Sequence, residues 1–357
     1  MGRRNGTSAG STAAARAASA EGGRPVVPGP GGTHPAGPAD PVDAARLREA
    51  EAAENFPVAL RVLPARHRRR LRAVYDVVRT IDDLGDEGGG TPAERTAALE
   101  AFRADLHAAA PAIPAVRRLA AVAPDLPVAP FDRLLDANVH DQHTVTYDTW
   151  DQLLGYCALS ADPIGRLVLA VFEVPADGEI EHASDAVCTA LQILEHLQDV
   201  REDRGRGRIY LPAEDRAAFG VVEADLDRPT ATPTLRALVR HETERAEQLL
   251  DAGAPVVGAL RGWARIAVAG YVAGGRAAAD ALHRVDGEVL GRAAEAALSR
   301  RRDVLRHLST LLLRARPAPT VSGRPRRTIA ASGRPVLAAR RARSRPDLPR
   351  PTPRSCR

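Results

Sequence analysis

Apolar residues recur at intervals of three and four positions along most of the chain between residues 42 and 314. This spacing places them on one face of an α-helix, and no stretch shows the alternation typical of a half-buried strand. The pattern therefore predicts an all-α fold. The predicted helices are Val42–Glu54, Ala65–Leu84, Pro92–Ala109, Phe131–His140, Thr149–Phe172, Ile180–Asp203, Thr234–Asp251, Val256–His283 and Gly287–Leu313.

Proline, glycine and loss of the hydrophobic period mark the limits of this pattern. Pro163 should kink or break the helix predicted over Thr149–Phe172, because proline has no amide proton to donate. Residues 1–41 are rich in Gly, Ala, Ser, Thr and Pro and have no hydrophobic period, so they are predicted to be disordered. The Arg- and Pro-rich segment 315–357 is predicted to be disordered for the same reason. Residues 42–314 remain as a single helical domain.

Charge is distributed unevenly along the chain. Residues 315–357 hold twelve arginines and one acidic residue, a net charge of +11, and residues 1–44 carry +1. Because the whole chain carries +5, the body between these ends carries −7. A basic segment of this kind can contact nucleic acid or an anionic membrane surface. An unstructured extension is the simpler interpretation, so nucleic acid is not an expected partner, whereas peripheral contact with a membrane stays open.

The sequence argues against several protein classes. Tyr210 stands where a third glycine would follow Gly205 and Gly207, so a dinucleotide fingerprint is absent. No apolar run follows the N-terminal arginines, and no stretch of about twenty uncharged apolar residues could span a membrane. The three cysteines, Cys157, Cys188 and Cys356, have neither metal-site nor disulfide spacing. We therefore expect a cytoplasmic protein, with a position at the inner face of the membrane left open.

A group of polar side chains shares one face of the predicted helix that ends at Asp203. At one hundred degrees per residue, Gln192, Glu195, Asp199 and Asp203 fall within about a quarter of the circumference, opposite an apolar face. A loop carrying Arg204, Arg206 and Arg208 follows. Carboxylates bind a hard cation such as Mg²⁺, and guanidinium groups bind phosphate oxygens. Acidic residues four positions apart also occur on ordinary solvated helix faces, and that interpretation stays open for this cluster alone.

A second acidic cluster with the same chemistry lies more than one hundred residues earlier. On the predicted helix Ala65–Leu84 and its continuation, Tyr75, Arg79, Asp82 and Asp86 share one face. Two such helices facing each other would enclose several Mg²⁺ ions and a diphosphate, because Mg²⁺ takes one or two carboxylates and fills its remaining positions with water and phosphate oxygens. The paired clusters therefore favour a diphosphate-binding cavity.

These residues resemble the squalene/phytoene synthase family of prenyl diphosphate enzymes. The family's first motif, D-x-x-x-D preceded by arginine, is matched by Arg79, Asp82 and Asp86, and its second by Gln192, Asp199 and Asp203. The resemblance runs from about Ala50 to Leu290 and is closest to the hydroxysqualene synthase branch of bacterial hopanoid pathways. Further matches are Glu54–Val58, Leu63-Pro64, Asp141-Gln142, Tyr156-Cys157, Ser160–Arg166 and Gly207–Pro212.

The resemblance implies an isoprenoid-synthase-type helical bundle that uses Mg²⁺. Asp82, Asp86, Asp199 and Asp203 would be the catalytic metal ligands, with Glu195 as an additional ligand where the family usually has asparagine. The substrate-binding residues would be Asn55, Phe56, Tyr75, Arg79, Gln192, Arg208 and Tyr210. Core packing remains an alternative for Phe56, Tyr75 and Tyr210. His196 and His241 are candidate bases, although a lone histidine on a helix more often has a structural role. Trp150 and Trp263 are interpreted as core residues.

By resemblance, the expected reaction converts presqualene diphosphate and water into hydroxysqualene and diphosphate, with no response to NADPH. Asn55, Asp141 and Gln142 are candidates to position the water. Head-to-head condensation of two farnesyl or geranylgeranyl diphosphates, giving presqualene diphosphate or phytoene, is the alternative within the family. A non-catalytic helical scaffold with a basic membrane- or nucleic-acid-binding tail is the alternative from another class. Other enzymes of the squalene pathway are conceivable partners.

Overall fold

The structure, a computed structural model, describes residues 63–87, 90–175, 178–291 and 301–314. The predicted helix Val42–Glu54, both predicted extensions, Asn55 and Phe56 lie outside these residues. The all-α prediction is confirmed: within the described ranges, β pairing is limited to one bridge between Thr146 and Ile209. The helices are α1 (Ala65–Asp82), α2 (Pro92–Leu106), α3 (Pro114–Val122), α4 (Ala129–His140), α5 (Trp150–Ser160), α6 (Asp162–Val171), α7 (Gly178–Gln198), α8 (Val200–Gly205), α9 (Ala213–Phe219), α10 (Glu223–Leu226), α11 (Pro233–Gly253), α12 (Val256–Ala259), α13 (Gly262–Arg284) and α14 (Arg301–Arg314).

Several helices begin where threonine and proline favour a start. Thr91 forms a capping box with Glu94 ahead of α2, and the Thr149 hydroxyl accepts a hydrogen bond from the amide of Gln152 at the start of α5. Thr232 caps α11 in the same way. These hydroxyls satisfy amides that have no partner within the helix. Proline follows in the first turn of α2 and α11, where its missing amide proton has no consequence.

Helix α7 lies at the centre of the bundle and packs against α5, α6, α11 and α13. Its contact with α11 is close: a Cβ on Gly253 would lie 2.5 Å from the carbonyl oxygen of Ala183. Gly275 of α13 likewise leaves room for Leu191 of α7. Because glycine allows the helix backbones to approach, the apolar face of α7 is fully covered, and Ile193 and Leu194 are almost completely buried.

Three predicted helices that contribute to the acidic clusters or lie beside them are interrupted. The helix predicted to end at Leu84 ends at Asp82 and continues as a π-helical turn over Asp83–Glu87. The helix predicted over Ile180–Asp203 bends at Asp199, which separates α7 from α8. The predicted Thr149–Phe172 helix breaks at Ala161, since Pro163 occupies the first turn of α6.

Other sequence predictions were wrong in detail. The helix predicted over Val256–His283 is divided into α12 and α13, and Gly287 lies in a turn with φ of +70°, not at a helix start. The short helices α3, α9 and α10 were not predicted. Trp263 is not a core residue: it lies in the first turn of α13 and is 38% exposed.

The segment Trp150–Val171 is long and apolar enough to cross a membrane by composition alone, with a mean hydropathy of 1.3. It is broken at Ala161, however, and 56% of it is buried inside the bundle. A buried, interrupted segment is typical of a core helix pair, so its hydropathy is explained by its packing against α4 and α7.

Candidate active site

The first acidic cluster lies where α1 passes into the π-helical turn. A π-turn is wider than an α-turn and is frequent at functional sites. Gly85 occupies its centre, and a Cβ there would lie only 2.2 Å from Oδ1 of Asn138 on α4. The absence of a side chain at this position therefore lets α4 approach the turn. Arg79 forms an ion pair with Asp83 at 2.9 Å on the same stretch.

Asp82 is held by Asn138, whose Nδ2 donates a hydrogen bond to Oδ1 of Asp82 at 3.3 Å. The pKa of Asp82 is raised to about 7, chiefly by burial; the nearby carboxylates of Asp86 and Asp83 contribute to this rise, whereas Asn138 and Arg79 oppose it. A raised pKa means that the charged form of this carboxyl is disfavoured, and a cation beside it stabilises that form. The surroundings of Asp82 therefore favour metal binding.

Gln142, just after the C-terminus of α4, holds the π-helical turn by hydrogen bonds. Its Nε2 donates to the carbonyl oxygen of Gly85 at 3.1 Å and to that of Asn138 at 2.9 Å. Nε of Arg95 donates to Oε1 of Gln142 at 2.6 Å. All polar atoms of this buried amide are thus engaged. The contacts assign Gln142 a structural role in holding the π-helical turn, and they do not support the sequence hypothesis that it positions a water molecule.

The second cluster follows the bend between α7 and α8. Burial raises the pKa of Asp199 to about 6, and the neighbouring Asp203 and Glu202 carboxylates add to this rise. Nδ1 of His196 lies 3.7 Å from Oδ2 of Asp203, an oxygen that is buried without a hydrogen-bond partner among the described residues. Gln192 contacts the other ring nitrogen of His196 at 3.2 Å. Glu195 is on the exposed side of this stretch.

The basic loop joins the two clusters. Nη2 of Arg208 donates to Oδ1 of Asp86 at 2.8 Å, across 122 positions of sequence. The loop is fixed at both sides: the Arg208 amide donates to the carbonyl of Asp203, and the Ile209 amide donates to that of Val145. Gly207 permits the turn with φ of +78°. The acidic clusters predicted from sequence are therefore brought to one site.

Aromatic side chains cover one side of this site. Tyr210 stacks on His196 with ring centroids 3.6 Å apart, and Tyr156 lies 5.6 Å from Tyr210. The Tyr156 hydroxyl donates to Oδ2 of Asp141 at 2.8 Å. Burial raises the pKa of Asp141 to about 6, an effect that the Tyr156 hydrogen bond and Arg208 oppose. Tyr75 of α1 and Tyr210 are both buried.

Sequence reasoning missed Asn138, Tyr156 and Tyr147 as site residues. In the sequence, Tyr156 entered only as part of a family motif. Its hydroxyl, in an otherwise apolar helix, could have marked it as a site residue. Tyr147 lies 5.4 Å from Tyr156 and 5.8 Å from Tyr210 in the aromatic cluster. Asn138 gave no signal, because an asparagine near a helix end is ordinary. Of the two histidines considered, His241 packs at a tilt against Phe219, with ring centroids 5.2 Å apart, which fits a structural role.

A cavity of about 10 Å³ borders the second cluster. This is room for about one water molecule, so an isoprenoid chain would need more space than it offers. Glu242 of α11 lines it and is 1% exposed. The pKa of Glu242 is raised to about 8, chiefly by burial; Asp215 contributes to this rise, and Arg245 opposes it. The remaining lining is Leu153, Ile193, His196, Leu197, Val200, Asp203, Arg208, Ile209, Tyr210, Leu211 and Leu226.

The donor set fits Mg²⁺ held together with a phosphate ligand. Within the described ranges, no three His, Cys, Asp or Glu side chains converge closely enough to hold a metal alone. Mg²⁺ needs only one or two carboxylates when phosphate oxygens and water complete its coordination. Each cluster contributes one pair of carboxylates: Asp82 with Asp86, and Asp199 with Asp203. The unsatisfied Oδ2 of Asp203 is an available ligand atom, and Arg208 stands between the clusters.

Comparison with known proteins identifies the family of this chain. The squalene/phytoene synthase family model matches residues 50–302. A hydroxysqualene synthase of Rhodopseudomonas palustris is 35% identical over 58% of this chain and 72% of its own length. A phytoene synthase of Mycobacterium tuberculosis is 34% identical over 57% of this chain and 68% of its own length. The crystal structure of a squalene synthase from Alicyclobacillus acidocaldarius is 37% identical, with a TM-score of 0.62 over 69% of this chain and 94% of that one.

Proposed function

The chain belongs to the squalene/phytoene synthase family of enzymes, and we propose that within this family it converts presqualene diphosphate and water into hydroxysqualene and diphosphate. Enzymes of this family act on prenyl diphosphates with a divalent metal ion. The observation that carries the proposal is the hydrogen bond between Arg208 and Asp86, which joins the two acidic clusters around one site. Similarity to hydroxysqualene synthases from several bacteria supports the specific reaction.

Asp82 and Asp86 on one side and Asp199 and Asp203 on the other would hold Mg²⁺. When bound, Mg²⁺ would supply positive charge that neutralises diphosphate and makes it a better leaving group. Arg208 is already at the junction and would exchange its contact with Asp86 for phosphate oxygens, which guanidinium binds in a bidentate manner. Arg79 and Gln192 would reach the diphosphate from α1 and α7, and Glu195 would add a charged oxygen at the exposed edge.

The carbon skeleton left after ionisation needs an apolar, water-poor surface, since stray water would capture the cation early. Tyr156, Tyr147 and Tyr210 offer such a surface beside the acidic clusters. Burial raises the pKa of the Tyr156 hydroxyl well above its ordinary value, so this side chain stays neutral and donates to Asp141. Asp141 is the polar group bonded to this surface and is the residue we assign to orient the attacking water. We place the reaction in the cytoplasm.

Product analysis tests the proposal. Purified protein is incubated with presqualene, farnesyl or geranylgeranyl diphosphate, with and without Mg²⁺ and NADPH, in water enriched in heavy oxygen. We expect an alcohol from presqualene diphosphate that carries the label, requires Mg²⁺ and ignores NADPH. Phytoene or presqualene diphosphate as the sole product would favour the condensation reaction, which the similarity to phytoene synthases also supports. No Mg²⁺-dependent release of diphosphate from any substrate would favour the non-catalytic scaffold.

Substitution of the proposed ligands tests the site. Asp82→Asn and Asp203→Asn should each abolish most turnover while leaving the thermal melting profile nearly unchanged, because each removes a charged oxygen from the metal ligands. Asp151→Asn, at an exposed position on α5, is the matched control and should keep its activity. Full activity in either ligand variant would refute the proposed metal site.

A further inference from the structure

Helix α2 is linked to the π-helical turn through the side chain of Gln142. Nε of Arg95 on α2 donates to Oε1 of Gln142 at 2.6 Å, and Nε2 of Gln142 donates to the carbonyl oxygen of Gly85 at 3.1 Å. Gly85 directly precedes Asp86 in the turn. Arg95 is therefore two hydrogen bonds away from the backbone that carries an acidic residue of the first cluster.

The peptide between Gly85 and Asp86 needs support from outside the turn. Its carbonyl oxygen and the amide of Asp86 lie in one plane, so a hydrogen bond that holds this oxygen also fixes the direction in which the chain enters Asp86. Glycine has more backbone freedom than any other residue. The contact from Gln142 removes that freedom where it would otherwise let the Asp86 carboxylate move away from Asp82.

Arg95 keeps the amide of Gln142 in the orientation that this contact requires. A guanidinium group only donates hydrogen bonds, so it binds the amide only while the amide oxygen faces α2 and the NH₂ group faces the turn. Gln142 is buried, and loss of Arg95 would leave its oxygen without a donor, which is unfavourable for a buried polar atom. The amide would then turn toward water and release the carbonyl of Gly85.

The guanidinium group of Arg95 is itself held from a second direction. Its Nη1 donates to the carbonyl oxygen of Gly90 at 3.0 Å, just before the Thr91–Glu94 capping box that starts α2. Gly90 has a φ of +94°, which glycine adopts readily. Because Arg95 is fixed by the start of its own helix, the position of its Nε toward Gln142 is set by the fold.

We propose that Arg95 is a positioning residue for the Mg²⁺ ligands of the first cluster and that, acting through Gln142, it sets the affinity of the enzyme for Mg²⁺. Removing a group that holds a metal ligand in place typically weakens metal binding by roughly 10- to 100-fold. The inference rests on the proposed assignment of Asp82 and Asp86 as Mg²⁺ ligands. It gives Arg95 no contact with the substrate.

Titration of the full-length protein with Mg²⁺ at a fixed concentration of inorganic diphosphate, followed by the rise in melting temperature, tests this inference without turnover. Arg95→Met should raise the Mg²⁺ concentration for half of the thermal shift roughly tenfold. Gln142→Met should do the same, and the double variant Arg95→Met/Gln142→Met should be no weaker than either single variant, because both changes remove one link. Arg95→Lys keeps a charged donor and should lose less affinity than Arg95→Met.

Arg103→Met is the matched control. Arg103 lies on the same helix and also binds α4, through Asp132 and Asp136. Its loss should lower the melting temperature without Mg²⁺ and leave the Mg²⁺ concentration for half of the shift unchanged. An unchanged Mg²⁺ response in Arg95→Met, an equal loss in Arg103→Met, or additive losses in the double variant would overturn the inference.

Two further measurements separate this inference from its neighbours. At saturating Mg²⁺, the Michaelis constant of Arg95→Met for the prenyl diphosphate should equal that of the unchanged protein, and a raised constant with a normal Mg²⁺ response would show that Arg95 binds the substrate directly, against the inference. Asp82→Asn should lose most of the Mg²⁺-induced shift. A normal shift in Asp82→Asn would refute the proposed metal site itself, whereas its loss there, with a normal shift in Arg95→Met, would refute the role of Arg95 alone.

Discussion

Gly85 offers a direct test of how the first acidic cluster is built. In a Gly85→Ala variant, the new Cβ would lie 2.2 Å from Oδ1 and 3.1 Å from Cγ of Asn138. The shorter separation cannot persist, so the Asn138 side chain must move. Asn138 is short and is held by its hydrogen bonds to Asp82 and to the carbonyl of Leu134, so movement breaks at least one of them. The methyl group thereby acts on Asp82 through Asn138.

The expected change in the free energy of unfolding for Gly85→Ala follows from two opposing effects. A hydrogen bond to a charged group contributes about 1.5–3 kcal/mol to the free energy of unfolding. Alanine in a helical turn gains up to about 1 kcal/mol over glycine, and Gly85 does not need a positive φ. Gly85→Ala should therefore destabilise the protein by about 1–2 kcal/mol. In an Asn138→Ala background the clash is gone, and the same substitution should be neutral or stabilising by up to about 1 kcal/mol.

Urea denaturation of the four proteins of this double-mutant cycle measures the coupling, which we expect at about 1.5–3 kcal/mol. Gly155→Ala is the matched control: Gly155 lies inside α5, and a Cβ there would meet nothing within 4 Å, so this variant should show only the helix-propensity gain. Additive effects of Gly85→Ala and Asn138→Ala, within about 0.5 kcal/mol, would refute the clash as the cause.

Further predictions concern charge. Because burial and neighbouring carboxylates raise the pKa of Asp82 to about 7, protons should compete with Mg²⁺, and half-saturation of a Mg²⁺-induced thermal shift should need more Mg²⁺ as the pH falls below about 7. Glu195→Asn should raise the Mg²⁺ concentration for half-maximal rate if Glu195 is a ligand, whereas unchanged Mg²⁺ and substrate dependence would place it outside the site. The folded-state pKa of Glu242, about 8, exceeds its ordinary 4.5, so the folded protein binds more protons between these values and loses stability as the pH rises through this window. Glu242→Gln should flatten this dependence by a few kcal/mol in denaturation at about pH 5 and about pH 9, and an unchanged slope would contradict the assignment.

The amino-acid sequence by itself determined the fold class and the family, and it predicted the acidic residues of the candidate site. Helical periodicity reports which face of a segment is buried, and this is a local property, so α4, α7 and α11 lie close to their predicted positions. The acid pairs Asp82–Asp86 and Asp199–Asp203 were visible because residues four apart share a helix face. The family resemblance to squalene/phytoene synthases rested on these same short motifs, and the family match confirms it.

The tertiary structure alone decided how these parts meet. The contact of Arg208 with Asp86 and that of Tyr156 with Asp141 join residues from separate elements, which no local period can encode. The close approach of Asn138 to Gly85 of the π-helical turn is likewise a packing contact between two elements. The raised pKa of Asp82 has the same origin, because burial and neighbouring charges exist only once the bundle has closed around the carboxylate.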